Sequence, residues 1–292
     1  MRLPYPDAEI GAVMIGDIVL RFRNSDAGGT HYQGRGHRDE YKSPFYPALR
    51  RALSPEHCID IGANYGFTGL LMRKAFPDCR LTLVEPVPAL ENFIRVNFER
   101  NGARFDKLLS AIVSSEHGRS SFGVNTKSSQ DSRVVAKPGW EIIETDVVTL
   151  DQLAQNARPD EGVYIKIDTQ GWEEHVFAGG GKFLAGHDKW LIKTEFAPMW
   201  LESQGSKPES FLRYLMGRYS VHESLPRYRW GASTLHDIIG EPLRPGREED
   251  FVNYVRKLMK NDRGWLDLFI LPQPERRKYD VHARQPRRHD DR

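Results

Sequence analysis

The sequence predicts an α/β fold built on a seven-stranded, mostly parallel sheet with helices on both faces. Three observations predict it. From residue 58 onward, short apolar runs alternate with amphipathic helical segments, the pattern of parallel strands joined by crossover helices. The first of these runs ends in a glycine-bearing bend that opens directly into a helix. After the fifth strand candidate come two more elements and a terminal apolar run, which complete seven strands with the last inserted as an antiparallel hairpin partner.

The 292 residues are enough for a sizeable core, since a chain of roughly 300 residues buries about three quarters of its unfolded surface and needs neither disulfides nor a structural metal. Apolar residues make up 39% and charged residues 28%, with 14 Phe, 11 Tyr and 6 Trp. That is too aromatic for a disordered chain and too polar for a membrane protein. No run approaches the ~18 apolar residues of a spanning helix, and Asp7 and Glu9 stand where a signal peptide needs its apolar stretch. A cytoplasmic protein with no membrane span is expected. Two cysteines, Cys58 and Cys79, exclude a disulfide framework and a cysteine zinc site. Of the net charge of +2, residues 273–292 carry +3 and residues 1–272 sum to −1, so no nucleic-acid partner is expected for the body.

Along the chain, residues 1–57 read as an N-terminal extension. Ile15 to Arg23 is a strand with Ile18, Leu20 and Phe22 on one face, residues 24–42 form a polar, glycine-rich loop, and Pro44 to Leu53 is a short helix. Residues 58–272 form the main domain. Its strand candidates are Cys58 to Ile61, Arg80 to Val84, Lys107 to Val113, Val163 to Ile167 and Trp190 to Phe196. Helices fall at Phe67 to Phe76, stopped by Pro77, and at Pro88 to Arg100, stopped by Asn101-Gly102. Residues 114–146 break the alternation as a functional loop or a strand insertion over the site. Beyond them lie a helix at Glu209 to Met216, a strand at Tyr219 to Glu223, a helix at Glu248 to Lys260 and a last strand at Trp265 to Leu271. Residues 273–292, nearly devoid of apolar side chains, read as a basic mobile tail.

The sharpest local signal is Asp60-Ile61-Gly62-Ala63-Asn64-Tyr65-Gly66 at the end of the first core strand. Glycines let the chain turn tightly and approach a ligand, in the crevice where open α/β sheets bind. A dinucleotide fingerprint needs glycines at 62, 64 and 67, but Asn64 and Phe67 stand there, which argues against a nicotinamide-dependent oxidoreductase. A P-loop is excluded because no Gly-Lys-Ser/Thr follows. Asp60 and Glu85, an acid at the end of each of the first two strands, suit a ligand with an ammonium and a ribose but no phosphates. S-adenosylmethionine has those groups.

Three segments in order give a family resemblance: Asp60 to Gly66; Glu85-Pro86-Val87-Pro88 with Phe93, Asn97, Asn101 and Gly102; and Lys166-Ile167-Asp168-Thr169-Gln170-Gly171-Trp172-Glu173, with Thr149-Leu150-Asp151 upstream. Over residues 55–200 the chain resembles the FkbM-type S-adenosylmethionine-dependent methyltransferases. The resemblance implies the Rossmann-like class I methyltransferase fold and O-methylation of a small molecule or glycan, of sugar or polyketide type. It assigns Asp60, Gly62, Ala63, Asn64, Gly66, Glu85, Pro86, Ala111 and Asp168 to the cofactor. Gln170 and His175 depart from the family's usual acids, which leaves open a cofactor-binding module without turnover.

Candidates for the acceptor side are Asp168, Glu173, His175 and Glu195. Asp168 follows the fourth strand and suits orienting or deprotonating a hydroxyl, and it serves equally as a cap for the turn at Gly171. His175 has a base's reference pKa but adjoins the apolar Trp172 and Val176. Glu195 either borders the crevice or pairs with a nearby lysine. No tight His/Asp spacing points to a metal. His37, Arg38, Glu40 and Tyr41 either close over the cofactor or form a plain surface loop, and Met199 and Trp200 either line an acceptor pocket or pack in the core.

Overall fold

The computed structural model describes residues 3–223 and 234–273. The strands are β1 (Ile10–Ile15), β2 (Ile18–Arg23), β3 (His57–Ile61), β4 (Arg80–Val84), β5 (Lys107–Leu109), β6 (Ala111–Val113), β7 (Gly118–Val124), β8 (Glu141–Val148), β9 (Val163–Ile167), β10 (Trp190–Phe196), β11 (Tyr219–Glu223) and β12 (Leu266–Pro272). Seven of them form the main sheet in the order β11-β12-β10-β9-β3-β4-β5. All neighbours are parallel except β12, which runs antiparallel between β10 and β11. The expected seven-stranded sheet with its inserted last strand is therefore present.

Strands buried on both faces carry mostly apolar side chains, and Asp60, Lys166 and Glu195, polar positions of these strands, lie toward the strands' carboxyl ends. Cys58, Leu81, Leu83, Tyr164, Leu191 and Phe269 point to one face, where they meet the N-terminal segment and helices Phe45–Leu53, Phe67–Ala75 and Pro88–Arg100. Ile59, Ile61, Val84, Ile165, Ile167 and Ile192 point to the other, against helices Glu173–Ala178, Pro208–Met216 and Glu248–Lys257.

Four expectations need correction. Ile15 to Arg23 is not one strand: Gly16, at φ 63°, turns the chain so that β1 and β2 pair as a hairpin. The predicted face of β2 is correct, with Ile18, Leu20 and Phe22 buried. Its edge is satisfied by a helix: Asn97 exchanges two hydrogen bonds with the Arg21 backbone and Asn101 two with that of Val19, at 2.7–3.0 Å. Residues 24–42 contain helices Ala27–His31 and Arg35–Tyr41 rather than a loop, the first capped by Asp26. Lys107 to Val113 breaks at Ser110: β5 ends the main sheet, whereas β6 pairs with β8 in a separate three-stranded sheet with β7. The helix from Glu248 stops at Lys257, short of the expected Lys260. Residues 114–146 are the strand insertion, and all of the basic tail but Gln273 lies outside the described residues.

Candidate active site

A cleft of about 560 Å³ opens at the carboxyl ends of β3, β4, β9 and β10. Its floor begins at the bend after β3. Gly62 and Ala63 donate their backbone N–H groups to the Val84 carbonyl at 2.9 and 3.1 Å, and Asp168 donates its own to the Ile61 carbonyl at 3.0 Å. The bend is thereby tied to the strands on both sides. Gly62 sits at φ 80°, and a Cβ there would run into the carbonyl oxygen of Asp168, so only glycine fits. Asn64 adopts φ 51°, a left-handed conformation that Asn tolerates.

Glu85 lies at the end of β4 and is 5% exposed. Its Oε2 accepts from the Asn64 N–H at 2.8 Å and its Oε1 from the Val87 N–H at 3.0 Å. Burial pushes its carboxyl up to about 7, against those two donors. A carboxylate has about four acceptor positions, so two remain free for donors in the cleft. Two hydroxyls of a ribose would fill them. Ala111, Ile112, Val113 and Phe122 make an apolar wall nearby, suited to the flat face of a base. The residues present thus fit a nucleoside whose sugar is held from the end of β4.

Asp60, Lys166 and Lys193 stand in register across three adjacent strands, the two lysines lining the cleft and Asp60 beneath it. Asp60 is fully buried, neither carboxylate oxygen has a hydrogen bond, and the Lys166 ammonium stands 3.7 Å away. Burial, opposed by Lys166, pushes Asp60 up to about 6. Lys166 reaches Asp168 at 3.2 Å and the Gly62 carbonyl at 3.3 Å. Burial works against its charge, but Asp168 and Asp60 hold it above the usual lysine range.

Beside this row, Gln170 sits at φ 56° and its amide donates to Asp168 Oδ1 at 2.9 Å and to Glu195 Oε2 at 3.3 Å. Two carboxylates from adjacent strands are thus bridged by one neutral side chain. Burial, with Asp168, Glu173 and Asp267 close by, pushes Glu195 well above the usual carboxylate range. Trp172, Trp200 and Trp265 line this end of the cleft.

Of the predicted residues, Gly62, Ala63, Asn64, Glu85, Pro86, Ala111, Asp168 and Glu195 line the cleft together, as do His37 and Glu40 from the N-terminal segment. In spite of burial, Lys193 and His37 hold Glu40 down to about 2. Asp60 lies beneath the floor and touches the site through Lys166. Gly66, at φ 85°, begins helix Phe67–Ala75 and is not in the lining. Nor are Glu173 and His175. Glu173 Oε1 accepts from the Thr169 N–H and hydroxyl, both at 2.9 Å, and from the Gly171 N–H at 3.3 Å, so it fixes the loop that carries Asp168 and Gln170. His175 stacks on Trp172 at 3.7 Å between ring centroids, and burial lowers its pKa. Sequence reasoning missed Tyr32, Ser129, Lys193 and Asp267 in the lining.

Residues 60–223 match the Methyltransferase FkbM domain, a segment that holds the bend, Glu85, Asp168 and Glu195. The chain belongs to the FkbM methyltransferase family. Its methyl donor is accordingly S-adenosylmethionine, as the fit of the Glu85 end suggests, and a nicotinamide-dependent oxidoreductase is set aside. A 44-residue stretch of this chain is 46% identical to ribosomal RNA small subunit methyltransferase G of Prochlorococcus marinus (strain MIT 9313), and spans 15% of this chain but only 18% of that protein. Among solved structures, methyltransferase FkbM from Methylobacillus flagellatus KT is 13% identical at a TM-score of 0.43, over 82% of this chain and 50% of that one. Precorrin-6y C5,15-methyltransferase from Geobacter metallireducens GS-15 is 11% identical at 0.38, over 77% and 86%. O-methyltransferase TomG from Streptomyces achromogenes, solved with its methyl donor, is 11% identical at 0.39, over 80% of each. Among the described residues, no helix is long and apolar enough to cross a membrane.

Proposed function

We propose that this methyltransferase methylates a hydroxyl oxygen of a small molecule or glycan, of sugar or polyketide type. The observation that carries the reading is the carboxylate pair Asp168 and Glu195, joined by the Gln170 amide at the acceptor end of the cleft. When bound, S-adenosylmethionine supplies a methyl group already activated by its sulfonium. The protein's tasks are to align donor and acceptor, worth roughly 7 to 11 kcal/mol when the geometry is right, and to take the hydroxyl proton, worth about 10² to 10⁴ in rate.

In this reading Glu85 accepts from the ribose hydroxyls, while Gly62, Ala63, Asn64, Pro86 and Ala111 shape the donor half. Asp168, fixed by Lys166 and Gln170, orients the acceptor hydroxyl. Glu195 takes its proton as the methyl–oxygen bond forms, and burial among carboxylates raises its affinity for that proton. Glu173 contributes through the loop it holds. Trp172, Trp200 and Trp265 line the acceptor end, with His175 stacked on one face of Trp172 and the Arg133 guanidinium on Trp200.

The test is transfer of a labelled methyl group to a panel of hydroxylated glycans and small molecules, with Asp168→Ala and Glu195→Gln alongside. Label on oxygen, and a fall of about 10²-fold or more in both variants, supports the reading. Label on nitrogen or carbon, or unchanged turnover after Asp168→Ala, contradicts it.

A further inference from the structure

The N-terminal segment precedes the matched residues, yet it supplies part of the roof over the bend after β3. Asp26 is 6% exposed. Its Oδ1 accepts from the backbone N–H groups of Gly28 at 2.9 Å and Ser129 at 2.8 Å, and its Oδ2 accepts from the Tyr65 hydroxyl at 2.6 Å. One buried carboxylate thus ties together the helix Ala27–His31, the bend itself, and the insertion 103 residues away. The Ala27 N–H also donates to the Lys127 carbonyl at 2.9 Å. Packing leaves no slack: a Cβ at Gly28 would come within 2.6 Å of the Ser129 hydroxyl and 2.9 Å of the Gln130 nitrogen.

From Ser129 the path continues into the cleft. The Asn64 amide donates to Ser129 Oγ at 3.1 Å, the Tyr32 hydroxyl donates to Asn64 Oδ1 at 3.2 Å, and the Asn64 N–H donates to Glu85. Tyr32, Ser129, Asn64 and Glu85 all line the cleft, whereas Asp26 does not.

We infer that Asp26 is a positioning residue for the methyl donor: through Ser129 and Tyr65 it fixes Asn64 and the bend, so that Glu85 meets the ribose in one orientation. The inference rests on the reading of Glu85 and the bend as the donor site. A carboxylate suits the place because three donors converge there away from water. Asparagine keeps both backbone donors on its oxygen, but its amide can only donate to the Tyr65 oxygen, which reverses that bond and frees the hydroxyl proton. Alanine leaves all three donors without this acceptor, although the Tyr65 oxygen still accepts from the Arg23 N–H at 3.3 Å.

The test is calorimetric titration of S-adenosylhomocysteine into the wild type, Asp26→Ala, Asp26→Asn and Ser129→Ala, each checked by thermal unfolding. Asp26→Ala should raise Kd about tenfold or more, as unpaired buried donors release the loop. Asp26→Asn should stay within about threefold, since its oxygen keeps the Gly28 and Ser129 N–H groups that hold the insertion. Ser129→Ala keeps the N–H to Asp26 but drops the Asn64 contact, and should fall between the two. In turnover assays, the KM for S-adenosylmethionine should rise in Asp26→Ala by a larger factor than kcat falls. Wild-type affinity in Asp26→Ala, or a fall in kcat with KM unmoved, overturns the inference. If Asp26→Ala does not fold, unchanged affinity in Ser129→Ala overturns it. A wild type that does not bind the probe removes the donor-site reading instead, so the two failures are distinct.

Discussion

Affinity for the donor should depend on pH through one carboxyl. Burial pushes Glu85 up to about 7, so at pH 6 the empty site is mostly protonated there. Accepting from two ribose hydroxyls requires the carboxylate, so binding must release that proton and must tighten as pH rises. For a group of pKa about 7, the ionised fraction is about one in eleven at pH 6 and about nine in ten at pH 8, which gives close to a tenfold gain in affinity across the interval. Calorimetry with S-adenosylhomocysteine at the two pH values, in buffers of different ionisation heat, measures both quantities. At pH 6 about 0.9 proton should leave per molecule bound. Glu85→Gln should bind weakly and lose the pH dependence. Equal affinity at both pH values, or tighter binding at pH 6, refutes the assignment of the ribose to Glu85.

The same carboxyl costs the empty protein stability. The folded state holds the Glu85 proton up to about 7 rather than the ordinary 4.5, so stability falls as pH rises through that window. Glu85→Gln removes a cost of about 3 kcal/mol above pH 7 and orphans one backbone N–H worth about 1 to 2, so its unfolding temperature at pH 8 should exceed that of the wild type without ligand; a lower one contradicts the burial argument. Gln170→Glu adds a third carboxylate between Asp168 and Glu195; it should move the acid limb of the pH–rate profile up by about one unit and cut kcat at pH 7 about tenfold. An unmoved profile would separate the pair from the chemistry. Gly62→Ala forces a Cβ against the Asp168 carbonyl at φ 80° and should destabilise the fold by about 3 kcal/mol or more by denaturant unfolding. A change below about 1 kcal/mol would mean the bend is pliable.

Where the fold was legible, local pattern and tertiary demand agreed. Val163–Ile167 is apolar but for Lys166, and Trp190–Phe196 opens on Trp-Leu-Ile, because both faces of the sheet are covered. Where reading failed, a distant partner decided. Nothing around Ser110 announces a break, but β8 offers β6 a parallel partner outside the main sheet. Residues 27–41 are poor helix formers, with glycines at 28, 29, 34 and 36, and the first of their two helices is held by Asp26 and its contact with Ser129. The site divides in the same way. Gly62, Asn64, Glu85 and Asp168 lie at strand ends, where a bend and an acid are visible in sequence. Lys193 and Asp267 join them only through sheet register, although a charge inside an otherwise apolar strand was a usable signal. His175 was misleading because proximity in sequence to Asp168 does not set the direction of a side chain, and its ring is taken up by Trp172.

The most direct measurement is a crystal structure of the protein with S-adenosylhomocysteine. The account predicts the nucleoside in the cleft over the Gly62 bend, its ribose hydroxyls on Glu85 and its sulfur turned toward Asp168. The same compound bound elsewhere, or lying in the cleft with its sugar away from Glu85, would contradict it.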